Sequence, residues 1–215
     1  MMNEARLGVG LQGLSIAEIA YQNAAAYARD RIQGRALSGP AEPEKKADPI
    51  IVHPDVRRML LTQKAVAEGA RALIYLTAQQ ADIVHSGKTE EERRAADEAL
   101  GFLTPIAKAF LTEIGYEAAN LGMQVFGGHG YVKDHGMEQF VRDARINQVY
   151  EGANGVQALD LVGRKMTAKG GRAPMAFFAH VQAFIDANKD DANLKPQLDA
   201  LQAGLKDLQD AAIWL

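Results

Sequence analysis

The sequence predicts an all-α protein, most simply an antiparallel four-helix bundle with an additional C-terminal helical segment. Three observations carry this. Apolar and small residues recur at helical spacing along most of the chain, no stretch alternates with period two for the length of a strand, and helix-breaking residues gather at a few places. With 47% hydrophobic and 24% charged residues over 215 positions, the chain has ordinary globular composition and enough apolar material for a sizeable core.

Residues 3–36 read as one long helix, with Leu7, Leu11 and Leu14 followed by Ala20, Ala24 and Tyr27 on one face. Small residues dominate it, so neighbouring helices can approach closely. Pro40, Pro43, Pro49 and Pro54, four of the seven prolines, make residues 38–54 a long non-helical connector. Pro54 suits a first helical turn and opens a second amphipathic helix through Met59, Leu60, Ala67, Ile74 and Val84 to about His85, ended by Ser86 and Gly87. A third helix runs from about Thr89 to Phe126. It is acidic at its start, as the helix dipole favours, and carries Leu103, Phe110, Ala118 and Val125. At about 1.5 Å per residue it would exceed roughly 50 Å. Residues 136–150 and 154–169 read as a broken fourth helix with Glu151 at the break, Gly152 ending one half and Asn154 capping the next.

Lys169, Gly170 and Gly171 form the best linker candidate. They divide a bundle at residues 1–167 from a further helical region at 168–215, in which residues 174–188 and 194–215 read as two helices. The last is still in register at Ile213, Trp214 and Leu215, and the first pattern begins directly after two methionines, so the sequence is expected to be a piece of a longer protein.

A net charge of −3 argues against bulk electrostatic attraction to nucleic acid or to anionic membranes, so an anionic ligand must be held by local cations. Zero cysteines exclude disulfides, a thiolate nucleophile and Cys-containing zinc sites. The apolar run at 7–17 is too short to cross a bilayer and no signal peptide precedes it, so a cytoplasmic location is expected.

Several motifs are better explained by packing or solvation than by chemistry. Gly8, Gly10 and Gly13 match the dinucleotide fingerprint letter for letter, but helix precedes them where a strand is required, so close helix packing is the better account. A di-iron bundle fails because only Asp82 and His85 supply its acid-x-x-His pattern, and His129 and His135 lack further ligands for a metal. The run from Glu90 to Arg94 reads as a solvated helix start. Arg142, Asp143 and Arg145 read as a structural ion pair, and spacing alone makes Arg31 one surface arginine among many.

Four groups of residues, in order and spacing, resemble the C-terminal helical domain of acyl-CoA dehydrogenases. They are Tyr27, Ala28 and Arg31; Gln124, Gly127, Gly128, Gly130 and Tyr131; Arg142, Asp143 and Ala144; and Val149, Tyr150, Glu151 and Gly152. The resemblance covers residues 3 to about 167. The opening Met2 to Leu7 and the Arg31 to Arg35 variant look most like the long subgroup that includes methylmercaptopropionyl-CoA dehydrogenases. Gly34, Ala153 and Gly155 depart from what many members carry.

The resemblance implies FAD-dependent α,β-dehydrogenation of an acyl-CoA thioester, with Glu151 matching the base that removes the α-proton. A carboxylate shut between an acyl chain and a flavin is made more basic by desolvation, and a backbone N–H at position 151 would hydrogen-bond the thioester carbonyl. Arg31 matches the arginine that reaches the pyrophosphate of FAD in a neighbouring subunit, with Gln33 beside it. Gln124, Gly127 and Gly128 match the turn against the same cofactor. A homo-oligomer, by family expectation a tetramer, and electron-transfer flavoprotein as redox partner follow. The family's N-terminal helical domain and middle β-domain have no counterpart in these 215 residues, so activity is not expected of this chain alone. The rival readings are a noncatalytic helical module for assembly or protein binding, and a flavoprotein of the same fold turned to another reaction.

Overall fold

The computed structural model describes residues 2–215. Three long helices, α1 (Met2–Asp30), α2 (Pro54–Ser86) and α3 (Glu90–Phe126), pack with the broken pair α5 (Met137–Asn147) and α6 (Asn154–Asp160) as an antiparallel four-helix bundle. A single turn, α4 (Gly128–Tyr131), leads from α3 towards α5, and a hairpin of α7 (Arg172–Asn188) and α8 (Lys195–Trp214) follows the bundle. No strand occurs among the described residues; Ile32 and Pro49 form an isolated antiparallel bridge.

Side-chain size sets how the bundle closes. At mid-height Leu14, Ala70, Ile74, Ala107 and Leu111 interlock, while Ala20, Ala119, Met137 and Ala144 bring α5 against α1 and α3. Gly13 and Gly115 mark the closest approach of α1 to α3: a Cβ on Gly115 would lie 2.5 Å from the Gly13 carbonyl oxygen, and one on Gly13 would run into the Leu111 carbonyl. Gly10 and Gly13 of the fingerprint-like run therefore serve helix packing, as their context predicted, while Gly8 faces open space.

α3 begins at a capping box, in which Thr89 Oγ1 accepts from the Glu92 N–H at 3.1 Å and the Glu92 carboxylate accepts from the Thr89 N–H at 3.3 Å. Pro105 lies inside this helix, without ending it.

α1 stops at Asp30, short of the expected 36. Residues beyond it pair with the returning connector: the Ile50 N–H donates to the Arg31 carbonyl, Gln33 N–H to Asp48 and Asp48 N–H to Gly34, at 2.8–2.9 Å. Asp48 organises that connector. Fully buried, its carboxylate accepts the backbone N–H groups of Ala36, Ala41 and Glu42 and the Arg35 guanidinium. The Ala36, Glu42 and Ala41 amides and Arg35 hold it well below the usual carboxylate range, against burial.

The expected fourth helix is shorter in both halves. α5 ends at Asn147, and beyond Asp160 the chain passes through a π-type turn (Leu161–Lys165). Lys169, Gly170 and Gly171 all take positive φ, a left-handed turn that reverses the chain. It is tied down, because Glu98 of α3 accepts from Lys169 Nζ at 2.9 Å and from Arg172 Nη2 at 2.6 Å. The hairpin beyond has its own core of Phe178, Ile185, Leu198 and Leu205.

Candidate active site

Gln148 ends α5 and Asn154 begins α6, leaving five residues between two helices of the same bundle wall. Glu151 sits there with φ 54°, followed by Gly152 at φ 84°. A glutamate in the left-handed region costs about 1–3 kcal/mol and persists only where the surroundings over-determine it. Here they do. Gln157 of α6, buried, donates through Nε2 to the carbonyls of Glu151 (3.2 Å) and Gly152 (3.0 Å), and the Asn154 N–H closes the loop onto the Gln148 carbonyl at 3.1 Å.

Both ends of the loop are also fastened to α3. Gln148 Nε2 donates to Glu113 Oε2 at 3.0 Å, and Asn154 Nδ2 to Glu113 Oε1 at 3.0 Å. Asn154 Oδ1 accepts from Lys108 Nζ at 2.9 Å. Tyr150 bonds to Gln12 of α1. Among the described residues nothing donates a hydrogen bond to the half-buried Glu151 carboxylate, and nothing accepts one from its own N–H or that of Gly152. Rigid anchors thus surround one free carboxylate and two free amide donors.

Asn154 does not cap α6 as expected. Ala153 occupies the cap position, and the Asn154 amide is spent on α3. Lys108, fully buried, is the feature sequence reasoning missed; its signal was a lysine in the apolar register between Ala107 and Leu111. Burial first, then the nearby Arg6 guanidinium, pushes its pKa below the ordinary lysine range, while Glu113 and Glu151 oppose the shift.

At the opposite end of α1, Arg31, Gln33, Gln124, Gly127 and Gly128 all line one groove of about 750 Å³. The main chain of Arg31 is fixed by Tyr27 and Ile50, yet its guanidinium is exposed and, among the described residues, bonds to no group. Gly127, at φ 59° and ψ −139°, takes a conformation essentially reserved for glycine, which separates α3 from α4 and leaves the turn's backbone open to the groove. Tyr27 stacks on Phe126 at 3.9 Å and bonds His129, which in turn stacks on His135. Glu151 is not in this groove. Instead of an ion pair within the triplet before the break, Asp143 accepts from Gln139 and Arg145 donates to Gln148. Among the described residues no group of three or more potential ligands could hold a metal, and no helix is long and apolar enough to cross a membrane.

Fold and site together define a helical-bundle domain that presents one strained carboxylate at a helix break and one cationic, glycine-walled groove. The chain belongs to the acyl-CoA dehydrogenase family: residues 1–167 match the family model described as acyl-CoA dehydrogenase, C-terminal domain. It is 49% identical over 183 residues to 3-methylmercaptopropionyl-CoA dehydrogenase of Ruegeria pomeroyi, covering 85% of this chain and 30% of that protein. It is 33% identical to a broad-specificity linear acyl-CoA dehydrogenase of Mycobacterium tuberculosis, covering 99% and 35%. The crystal structure of Caenorhabditis elegans ACDH-11 in complex with C11-CoA aligns with a TM-score of 0.83 over 99% of this chain and 33% of that one, at 22% identity, a likeness of fold. The chain spans about a third of the length of these relatives.

Proposed function

We propose that this chain is the C-terminal helical part of an FAD-dependent acyl-CoA dehydrogenase, with residues 1–167 as the bundle and 168–215 as an additional helical region, and that Glu151 is its base. The observation that carries the reading is Glu151 itself, a free carboxylate held in a costly backbone conformation by partners on three helices. Strain of that kind clusters at active sites and ligand clamps, which supports reading the Glu151 side chain as aimed at a ligand.

Glu151 would take the α-proton of the acyl-CoA thioester onto a carboxylate oxygen as the α,β double bond forms. The free N–H groups of Glu151 and Gly152 suit the thioester carbonyl, whose negative charge grows as the proton leaves. FAD, when bound, supplies the acceptor for the β-hydride. The Arg31 groove fits its diphosphate: an unpaired guanidinium, the amides of Gln33 and Gln124, and a glycine turn that lets backbone approach closely. A neighbouring subunit would bring that FAD, so the active protein is a homo-oligomer, a tetramer by the family's pattern. Electron-transfer flavoprotein is the redox partner that fits a reduced flavin of this class.

The test is Glu151→Gln in a version of the protein carrying the family's N-terminal and middle domains, with flavin absorbance followed on addition of an acyl-CoA. Flavin should be retained and its bleaching slowed by about 10²–10⁴-fold or more, the range of a lost general base. Undiminished bleaching would remove Glu151 as the base, and absence of flavin from the unmutated longer version would favour a noncatalytic helical module.

A further inference from the structure

Lys108 is fully buried in the middle of α3, an expensive place for a cation unless its charge is balanced and its donors are used. Among the described residues the one side-chain partner within hydrogen-bond distance is Asn154 Oδ1 at 2.9 Å, a neutral acceptor. A methionine would fill the same volume among Thr104, Ala107, Leu111 and Thr112 without that cost. Packing alone therefore gives no reason for a lysine, and the reason must lie in what Asn154 holds.

Asn154 is the first residue of α6 and the far end of the loop that carries Glu151. With Oδ1 taken by Lys108, its Nδ2 is oriented to Glu113 Oε1 and to Thr112 Oγ1, each at 3.0 Å. The other carboxylate oxygen of Glu113 receives Gln148 at the near end of the loop. Glu113 is thus a two-ended clamp across residues 148–154, and Lys108 supplies the shorter of the two hydrogen bonds to Asn154 Oδ1, at 2.9 Å against 3.2 Å from Thr112 Oγ1, together with a charge that interacts with the Glu113 and Glu151 carboxylates.

We propose that Lys108 is a positioning residue for Glu151: through Asn154 it fixes the start of α6 to α3 and so holds the loop in the strained conformation that presents the carboxylate. The inference rests on the reading of Glu151 as the base for its catalytic consequence, but the clamp is testable without it.

Hydrogen exchange of the 215-residue chain, compared with Lys108→Met, reads the clamp directly. The variant keeps volume and should remain folded, with exchange at the Asn154 and Gln157 amides accelerated about tenfold or more while the α1–α2 core is unchanged. Asn154→Ala, which removes the acceptor and leaves the lysine, should show the same local signature and covers the case in which Lys108→Met does not fold. In the version with the remaining family domains, Lys108→Met should lower kcat by about tenfold to a hundredfold with KM little changed, because the base is misplaced while binding surfaces are intact. Unchanged exchange at 148–157 in both variants, or acceleration spread evenly along α3, would overturn the proposal and make Lys108 a structural residue. A loosened loop in a protein that tolerates Glu151→Gln would leave the clamp standing and refute the base instead.

Discussion

Alanine substitution along the fingerprint-like run separates its three glycines by packing alone. Gly8 has open space where a Cβ would go, so Gly8→Ala gains about 0.5–1 kcal/mol of helix propensity and should raise Tm by roughly 1–4 °C. Gly10 is tight but yielding: a Cβ would stand 3.3 Å from Ile74 Cδ1 and 3.4 Å from the Ala107 carbonyl oxygen, so the propensity gain and the crowding nearly cancel. Gly13 has no such latitude. Its Cβ would meet backbone, with the Leu111 carbonyl carbon at 2.9 Å and Thr112 Cα at 3.1 Å, and backbone can yield only if α1 and α3 separate. Overpacking of about 1–3 kcal/mol or more then outweighs the propensity gain, for a net loss of about 2 kcal/mol and a fall in Tm of roughly 4–8 °C. Gly115→Ala should cost a similar amount, and the double variant less than the sum, since one separation of the helices relieves both contacts. Thermal unfolding followed by circular dichroism at 222 nm measures the four single variants and the double variant against the unmutated chain. If Gly13→Ala behaved like Gly8→Ala, the two helices would not cross at Gly13 and Gly115, and the packing account of the run would be wrong.

Asp48→Asn should flatten the acid limb of stability. The folded-state carboxyl lies below its ordinary value near 4, so its stabilisation is fully present above about pH 4 and is lost as pH falls through the folded value. Unfolding between pH about 2 and 5 should therefore depend less on pH in the variant, and an unchanged slope would show that the backbone cradle around Asp48 does not hold the charged form. Thr89→Ala removes one side of the capping box and should cost about 1 kcal/mol. Amide exchange in the first turn of α3 checks it, with no change expected at Phe126.

Helix periodicity made most of the fold legible, because α2, α3, α7 and α8 are set by apolar stripes and by Pro54, Thr89 and Gly87, whose effects are local. The errors lie where long-range bonds override local pattern. Residues 31–36 carry helix-compatible side chains, yet Arg31, Gln33 and Gly34 leave the helix to pair with Asp48 and Ile50, a partner up to 19 residues away whose role no periodicity records. Asn154 has the chemistry of a cap and is spent on Lys108 and Glu113, 46 and 41 residues earlier. The position of Glu151 at a break could be read from Gly152. Its positive φ and the clamp beneath it could not, because both depend on contacts between α3, α6 and the loop.

The two candidate sites lie too far apart to serve one bound flavin. Gln12 touches Tyr150, the neighbour of Glu151, while Arg31 follows the last residue of α1, Asp30. The 18 residues from 12 to 30 rise about 27 Å along a helix, well beyond the stretch from a flavin ring to its own pyrophosphate. In the proposed enzyme a flavin ring beside Glu151 and a pyrophosphate in the Arg31 groove of the same chain must therefore belong to different FAD molecules. Each bundle would complete one flavin site near the break and a second at the far end of α1, so loss of the oligomer should release FAD even from chains whose Glu151 loop is intact. Arg31→Ala separates these effects. Flavin affinity should fall while the Asn154 and Gln157 amides keep their protection, and coupled loss of both would mean that the groove and the loop are parts of a single site.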